Sequence, residues 1–362
     1  MITLVRRTGL AIAIASAAGA QQQRASAPTF SVGNATAQRG EVAMGVISVP
    51  AASDSGLNIP VAVIHGARPG PTVAFVAGSH GTEYSSIIAM QQLIPRIDAK
   101  KLAGTVIVVP IINIPSWTSM TPHVNPIDRK GMNASYPGDS NGTQTQRALA
   151  LITSQVVTPA DVVVDLHGGD LDENLRPYSY WFRSGRAAQD SAALELIRAF
   201  GLDHVIVTNI DLSAPTAGRS LSGQALVRGK TVVVAEAGRS GIVAASDVRA
   251  LVEGSLNVLA ALHMLDRHYT PIRRPMWLDG AGARIAADSA GVFIASVDRD
   301  TRVKKGQLLG YTTDFLGRKT GEIRSPIDGL VTFIRGVPSM WPHATLVNVL
   351  PVLAAPKAWG EN

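Results

Sequence analysis

His80 and Glu83 stand three residues apart in Gly78-Ser79-His80-Gly81-Thr82-Glu83, between an apolar run, TVAFVA, and a helical pattern, IIAMQQLI. Taken alone, the pair is a weak signal that reads as a turn with two solvated polar groups. Other placements give it chemistry. His167 ends the apolar run DVVVDLH, with Asp165 two residues before it, and Glu236 lies at the end of TVVVAEAG. Two histidines and one carboxylate are a familiar donor set for catalytic zinc, three protein ligands with one position left open. His80 and Glu83 can bend toward one ion from a loop that enters a helix. His167 closes the triangle from a neighbouring strand. Asp165, on the same strand face as His167, is placed to orient a ligand imidazole. Glu236 is then left as a general base.

The elements that must position these residues are legible as well. The runs at 72–77, 105–113, 161–167 and 231–238 are β-branched and continuous rather than alternating. Strands buried on both faces read this way, as in a parallel sheet covered by helices. Helical patterns fall at 84–96, 144–157, 191–200 and 246–265, so strands and helices alternate, which predicts an open α/β sheet. Such sheets bind ligands outside the carboxyl ends of their strands. His80, Glu83, Asn113, His167 and Glu236 all follow or end apolar runs and are expected on one rim. Residues 30–64 read as short strands and turns. After His268 the texture changes: TPIRRP is a linker, and 276–352 holds short strands with Gly turns and no convincing helix. That predicts a small all-β domain.

The expected division is a leader at 1–20, a linker at 21–29, an α/β domain at 30–269, a β domain at 270–353 and a tail at 354–362. Arg6 and Arg7 precede an apolar stretch, 9–18, too short to span a bilayer, and Ala18-Gly19-Ala20 fits a cleavage site. We therefore expect an exported, periplasmic protein without a membrane anchor. The 362 residues include no cysteine, which excludes disulfides, thiolate metal sites and a Cys-linked lipid. A net charge of +6, 5% aromatic residues and no basic run give nucleic-acid binding little support. Nothing in the sequence fixes an oligomeric state.

At this point the residues resemble a known family. Gly78-Ser79-His80-Gly81-Thr82-Glu83 is similar to the Gly-x-His-Gly-x-Glu signature of the succinylglutamate desuccinylase/aspartoacylase enzymes, within the zinc carboxypeptidase-like group. ARPGPTVAFVAGSHG resembles its lead-in, and NPIDRKGMNASYPGDSNGTQTQRAL its middle motif, which ends Asn-Arg-x-Phe-Pro-Gly. VVDLHGG and VAEAG resemble its Asp-x-His and Glu-x-Gly segments, and VKKGQLLG with SPIDGLV its C-terminal barrel-sandwich domain. The resemblance spans about 40–352. It implies a zinc-carboxypeptidase-like mixed or parallel sheet flanked by helices. It further implies one Zn²⁺ per chain on His80, Glu83 and His167, Glu236 as general base and proton shuttle, and Asn133 as a substrate-binding residue.

The departures also matter. The family's Arg after that Asn is Ala134 here, and its Phe is Tyr136. A guanidinium clamp on a carboxylate is not replaced by a methyl group. Either another cation takes the carboxylate or the substrate lacks one. Arg129, Lys130, Arg183, Arg219 and Arg239 are possible, with Arg129 and Arg239 nearest the motifs. Tyr178, Tyr180 and Trp181 form either an aromatic pocket wall or an ordinary half-buried strand. His65, His123, His204, His263, His268 and His343 have no ligand spacing and read as structural or surface residues. The expected activity is a zinc-dependent deacylase that cleaves the amide of a small N-acylated substrate, of N-acyl amino acid type. A carboxypeptidase-type peptidase is the alternative, disfavoured by Ala134, and an inactive zinc-binding homologue is a third reading.

Overall fold

The computed structural model describes residues 27–355. The leader at 1–20, most of the linker and most of the tail lie outside the described residues. The four apolar runs form strands Arg68–Ala77, Ala103–Val109, Val162–His167 and Thr231–Glu236. All four belong to one ten-stranded sheet. Arg68–Ala77 lies centrally, parallel to Ala103–Val109 on one side and to Val162–His167 on the other. Thr231–Glu236 continues the parallel series beside Val162–His167. The flanks are antiparallel where the chain doubles back. Leu57–His65 pairs Ala103–Val109, Glu41–Val49 pairs Leu57–His65, and Tyr178–Arg183 pairs Thr231–Glu236. Strand His204–Asn209, parallel to Tyr178–Arg183, and helix Leu221–Val227 were not foreseen from the pattern.

Both sheet faces are covered, as continuous β-branched runs require. Helices Tyr84–Leu93, Ala187–Phe200 and Ala245–Ala261 pack on one face around Phe75, Val164, Val233 and Trp181. Gln144–Ile152 and Leu221–Val227 cover the other, over Val76, Val163, Val232 and Val234. Thr143 and Gln146 form a reciprocal capping box at the start of Gln144–Ile152.

The C-terminal region is two small antiparallel sheets around Phe293, Leu309, Val331 and Leu346. It is not separate from the α/β sheet. Met276–Asp279 and Val352–Leu353, assigned by sequence to the β domain, form the far edge of the ten-stranded sheet. In exchange Glu173–Leu175, from the α/β part, pairs with Gly329–Arg335 of the C-terminal region. The two parts are therefore stitched together beside the strand ends. Among the described residues no helix is long and apolar enough to cross a membrane.

Candidate active site

The chain leaves strand Arg68–Ala77 through Gly78, at φ 65°. A Cβ there would stand 2.8 Å from Ile111 Cα, so this turn requires glycine. A Cβ on Gly81 would stand 2.4 Å from Asn113 O and 2.5 Å from Trp117 N. Asn113 is buried, caps helix Ile114–Ser119 by accepting from Ser116 N, and donates to Ser79 O at 3.3 Å. Its role at the rim is thus to hold the loop that carries His80. Glu83 precedes helix Tyr84–Leu93, but its side chain makes no capping bond there.

That carboxylate instead joins the two imidazoles. Glu83 Oε1 lies 2.6 Å from His80 Nδ1, and Oε2 lies 2.9 Å from His167 Nδ1. One ligand atom from each of the three residues lies within 4.8 Å of the others. Glu83 and His167 are buried, whereas His80 keeps 21% of its side chain exposed. Behind His167, Asp165 Oδ1 is 3.0 Å from Nε2 but out of hydrogen-bond alignment, and it has no other partner among the described residues. Burial pushes the Glu83 carboxyl up, but the charges and hydrogen bonds of His167 and His80 outweigh it and hold it at about 2. Burial would lower His167, yet Glu83 and Asp165 raise it well above the usual imidazole range.

Register places the next group. In the parallel pair of Val162–His167 and Thr231–Glu236, His167 and Glu236 are direct partners, and Glu236 also faces Tyr178 on its other side. Glu236 is half-buried and has no ion pair among the described residues. Burial raises its carboxyl well above the ordinary range. His167 opposes this, while Glu83, Glu173 and Asp165 add to it. Tyr178, Tyr180 and Phe182 alternate onto the Glu236 face, with Tyr178 and Tyr180 edge to face at 5.3 Å. Trp181 must then point the other way. It packs against Trp277 and donates Nε1 to Asp190 O, so it takes no part in a pocket wall.

His123, read from sequence as a structural or surface residue, lies beside the cluster. Its ring meets His80 edge to face, centroids 6.0 Å apart. Nε2 is 3.0 Å from Asp172 Oδ1, and the backbone N–H donates to Asp170 Oδ2 at 2.9 Å. Burial lowers this imidazole, but the hydrogen bond to Asp172 and the charges of Asp170, Glu173 and Asp172 carry it up to about 9. Burial and then Glu83 push Glu173 up to about 7, against the charge of His123. Asp170, Asp172 and Glu173 were missed from sequence. The available signal was three acids within four residues directly after Gly168-Gly169.

Asn133 sits in the single turn Met132–Ala134, and its buried Oδ1 has no hydrogen-bond partner among the described residues. The same holds for Tyr136 Oη, which lies near enough to Asp165 to feel its charge. Ala134 is exposed. Arg239 is exposed, with its backbone bridged to Asn174 beside Gly169. Arg129 is exposed at φ 57°. Neither has a side-chain ion pair among the described residues.

The whole set suits a metal: a buried carboxylate between two Nδ1 atoms, with unpaired oxygens nearby. The donors are nitrogen and oxygen at borderline hardness, the kind zinc accepts.

Comparison with known proteins agrees with this architecture. Residues 69–262 match the model of the succinylglutamate desuccinylase/aspartoacylase catalytic domain. The curated N-alpha-acetyl-L-2,4-diaminobutyric acid deacetylase of Halomonas elongata is 29% identical over 297 residues, 79% of this chain and 85% of that protein. A succinylglutamate desuccinylase/aspartoacylase structure from Rhodobacter sphaeroides superposes with TM-score 0.77 at 24% identity, covering 86% of this chain and 96% of that one. The product-bound ectoine utilization protein EutE (DoeB) from Ruegeria pomeroyi gives 0.78 at 23% identity, covering 87% and 96%.

Proposed function

We propose that this chain, which belongs to the succinylglutamate desuccinylase/aspartoacylase family, is a zinc-dependent deacylase of small N-acyl amino acids. The observation that carries the reading is the His80–Glu83–His167 cluster with Glu236 beside it, at the carboxyl ends of adjacent strands. His80, Glu83 and His167 would hold one zinc ion. Bound there, zinc supplies a Lewis acid that polarises a carbonyl and makes water a stronger nucleophile at neutral pH.

The chain's own residues do the rest. Glu236 takes the proton of the attacking water and returns it to the leaving amine. Its high proton affinity, set by burial among like charges, suits a group that must hold a proton between the two steps. Asp165 orients His167 from behind. Asn133 offers an unpaired oxygen to the substrate amide, and Tyr178 and Tyr180 line the Glu236 side. Because the Halomonas relative is named for an N-acetylated diamino acid, N-acetyl diamino acids belong at the head of a substrate panel. Export through residues 1–20 to the periplasm is part of the same proposal.

The test joins metal content to turnover. The form beginning at Gln21 is purified, its zinc counted, and release of free amine followed on N-acetyl diamino acids, other N-acyl amino acids and peptides. One zinc per chain with chelator-sensitive release from the N-acyl amino acids is expected. Cleavage of peptides alone would move the assignment to a peptidase. Absence of zinc would overturn it.

A further inference from the structure

A small cavity lies beside the site, between the ten-stranded sheet and the five-stranded sheet of the C-terminal region. Its volume is about 170 Å³. One wall holds Tyr178, Tyr180 and Ile206, and the other Arg284, Asn348 and Leu350. Register ties the first wall to the chemistry, because directly paired residues share a sheet face. Tyr178 pairs with Glu236, Glu236 with His167, and Tyr180 with Ile206. The first wall and the general base therefore lie on one face, and Tyr178 stands between them. The second wall leads to the same place. Asn348 pairs with Arg284 on one side and with Phe333 on the other. Two residues beyond Phe333, Arg335 pairs with Glu173. Its Nη1 lies 2.9 Å from Asp172 Oδ2, at the lip of the site beside His123.

The polar groups of the cavity favour one sign of charge. Arg284 lines it, and no aspartate or glutamate does. The guanidinium is held in place. Nε donates to Thr345 Oγ1 at 2.8 Å and Nη2 to His343 O at 2.7 Å. A guanidinium has five N–H donors in a planar fork. Nη1 and the second N–H of Nη2 are left, an end that can grip a carboxylate bidentately. Arg284 is exposed and has no ion pair among the described residues. Behind it, Asn348 Oδ1 is buried and has no hydrogen-bond partner among the described residues. An unpaired buried acceptor costs free energy, which a ligand N–H would recover. Pockets that enclose a whole drug-sized ligand measure roughly 300–1,000 Å³. This smaller one fits one end of a substrate whose amide lies at the metal cluster. None of the cations named from sequence lines it. Arg183 lies over the Trp181 ring at 5.7 Å, on the face turned away from Glu236.

We propose that this cavity is the specificity pocket of the site, where Arg284 binds a substrate carboxylate and Asn348 accepts from an N–H beside it. The inference rests on the deacylase reading for the identity of the substrate. The same carboxylate chemistry can come from the amino-acid half or from a dicarboxylic acyl half. Either way, a residue of the C-terminal region supplies the cation that position 134 lacks.

The test compares kcat/KM on the zinc-loaded chain for N-acetyl amino acids, for N-succinyl amines, and for the matching carboxamides of both. The parent should prefer at least one carboxylate series over its carboxamides by more than tenfold. R284M should lower that preference about 10–100-fold, the effect of losing hydrogen bonds to a charged group, and chiefly through KM. The series that responds identifies the half carrying the anion. N348D leaves Arg284 in place but sets a carboxylate beside it, and should lower the same preference. It carries the test if R284M fails to fold. A parent ratio near one, or equal losses on carboxylates and carboxamides in both variants, would overturn the pocket.

Should the zinc-loaded parent hydrolyse none of the panel, the deacylase reading fails by itself. The pocket is then tested by ¹⁵N guanidinium spectra with succinate as the probe. The Arg284 signal, assigned as the one missing in R284M, must move with succinate and stay still with succinamide. Any other result overturns the pocket as well.

Discussion

Replacing Glu236 with glutamine separates chemistry from architecture, because the structure assigns the two effects opposite signs. The side chains are nearly equal in volume, so packing beside His167 and Tyr178 is kept. What goes is a basic oxygen. A positioned acid–base group is worth about 10²–10⁴ in rate, or roughly 2.7–5.5 kcal/mol of barrier. Turnover should fall by that factor, with zinc retained, since the ligand cluster is His80, Glu83 and His167. Stability of the metal-free protein should move the other way. Burial, with Glu83, Glu173 and Asp165 nearby, raises the Glu236 carboxyl far above its unfolded value. An acid raised on folding weakens the native state as pH climbs from its unfolded pKa toward the folded one. Glutamine removes that penalty, so the urea midpoint of the chelated protein at pH 7 should rise. The assays are initial rates on the zinc-loaded protein, metal counting, and urea titration after chelation. A residue that merely held the sheet together would lose activity and stability together. Turnover within threefold of the parent, or a lowered midpoint, would refute the assignment.

Two further outcomes are expected. In the chelated protein, His123 is raised to about 9 and Glu173 to about 7. The favourable His123 contribution is complete below its unfolded value of 6.5 and fades as pH rises through 9, while the Glu173 penalty grows from pH 4.5 to 7. Stability should therefore fall from pH 6 to pH 9, and D172N should flatten the upper part of that fall. A parent midpoint that rises across this range would contradict the charge arrangement at the lip. Ala134→Arg returns a cation to an exposed position, so stability should stay within about 0.5 kcal/mol. Activity should shift toward substrates that carry a free carboxylate, and kcat/KM ratios across N-acyl amino acids and their matching carboxamides measure it.

What could be read from the sequence was whatever is encoded locally. Four continuous β-branched runs became four neighbouring strands, and the residues at their ends came together because parallel strands share an end. The His80–Glu83 spacing needs only one loop and two glycines, so it too was legible. Trp181 and Tyr178 show where local reading stopped. Both belong to one alternating strand, and only the register against Thr231–Glu236 tells which parity faces the site. The edge pairing beyond 270 was not legible for a related reason. Composition changes there, but a strand pairs with whatever edge is free. Met276–Asp279 found the edge at His204–Asn209.

The lip of the site lies beyond any pattern of that kind. His123 reaches Asp172 across 49 residues, and Asp172 reaches Arg335 across 163. No periodicity links them, and a lone histidine without ligand spacing gives no hint of a partner. The physical signal was present in another form. Asp170, Asp172 and Glu173 follow a strand-end histidine in a loop folded tightly against its neighbours. Carboxylates buried this closely need cations, because unpaired buried charge is expensive. The structure supplies them as His123 and Arg335, so the acidic loop implied remote basic partners even though it could not name them.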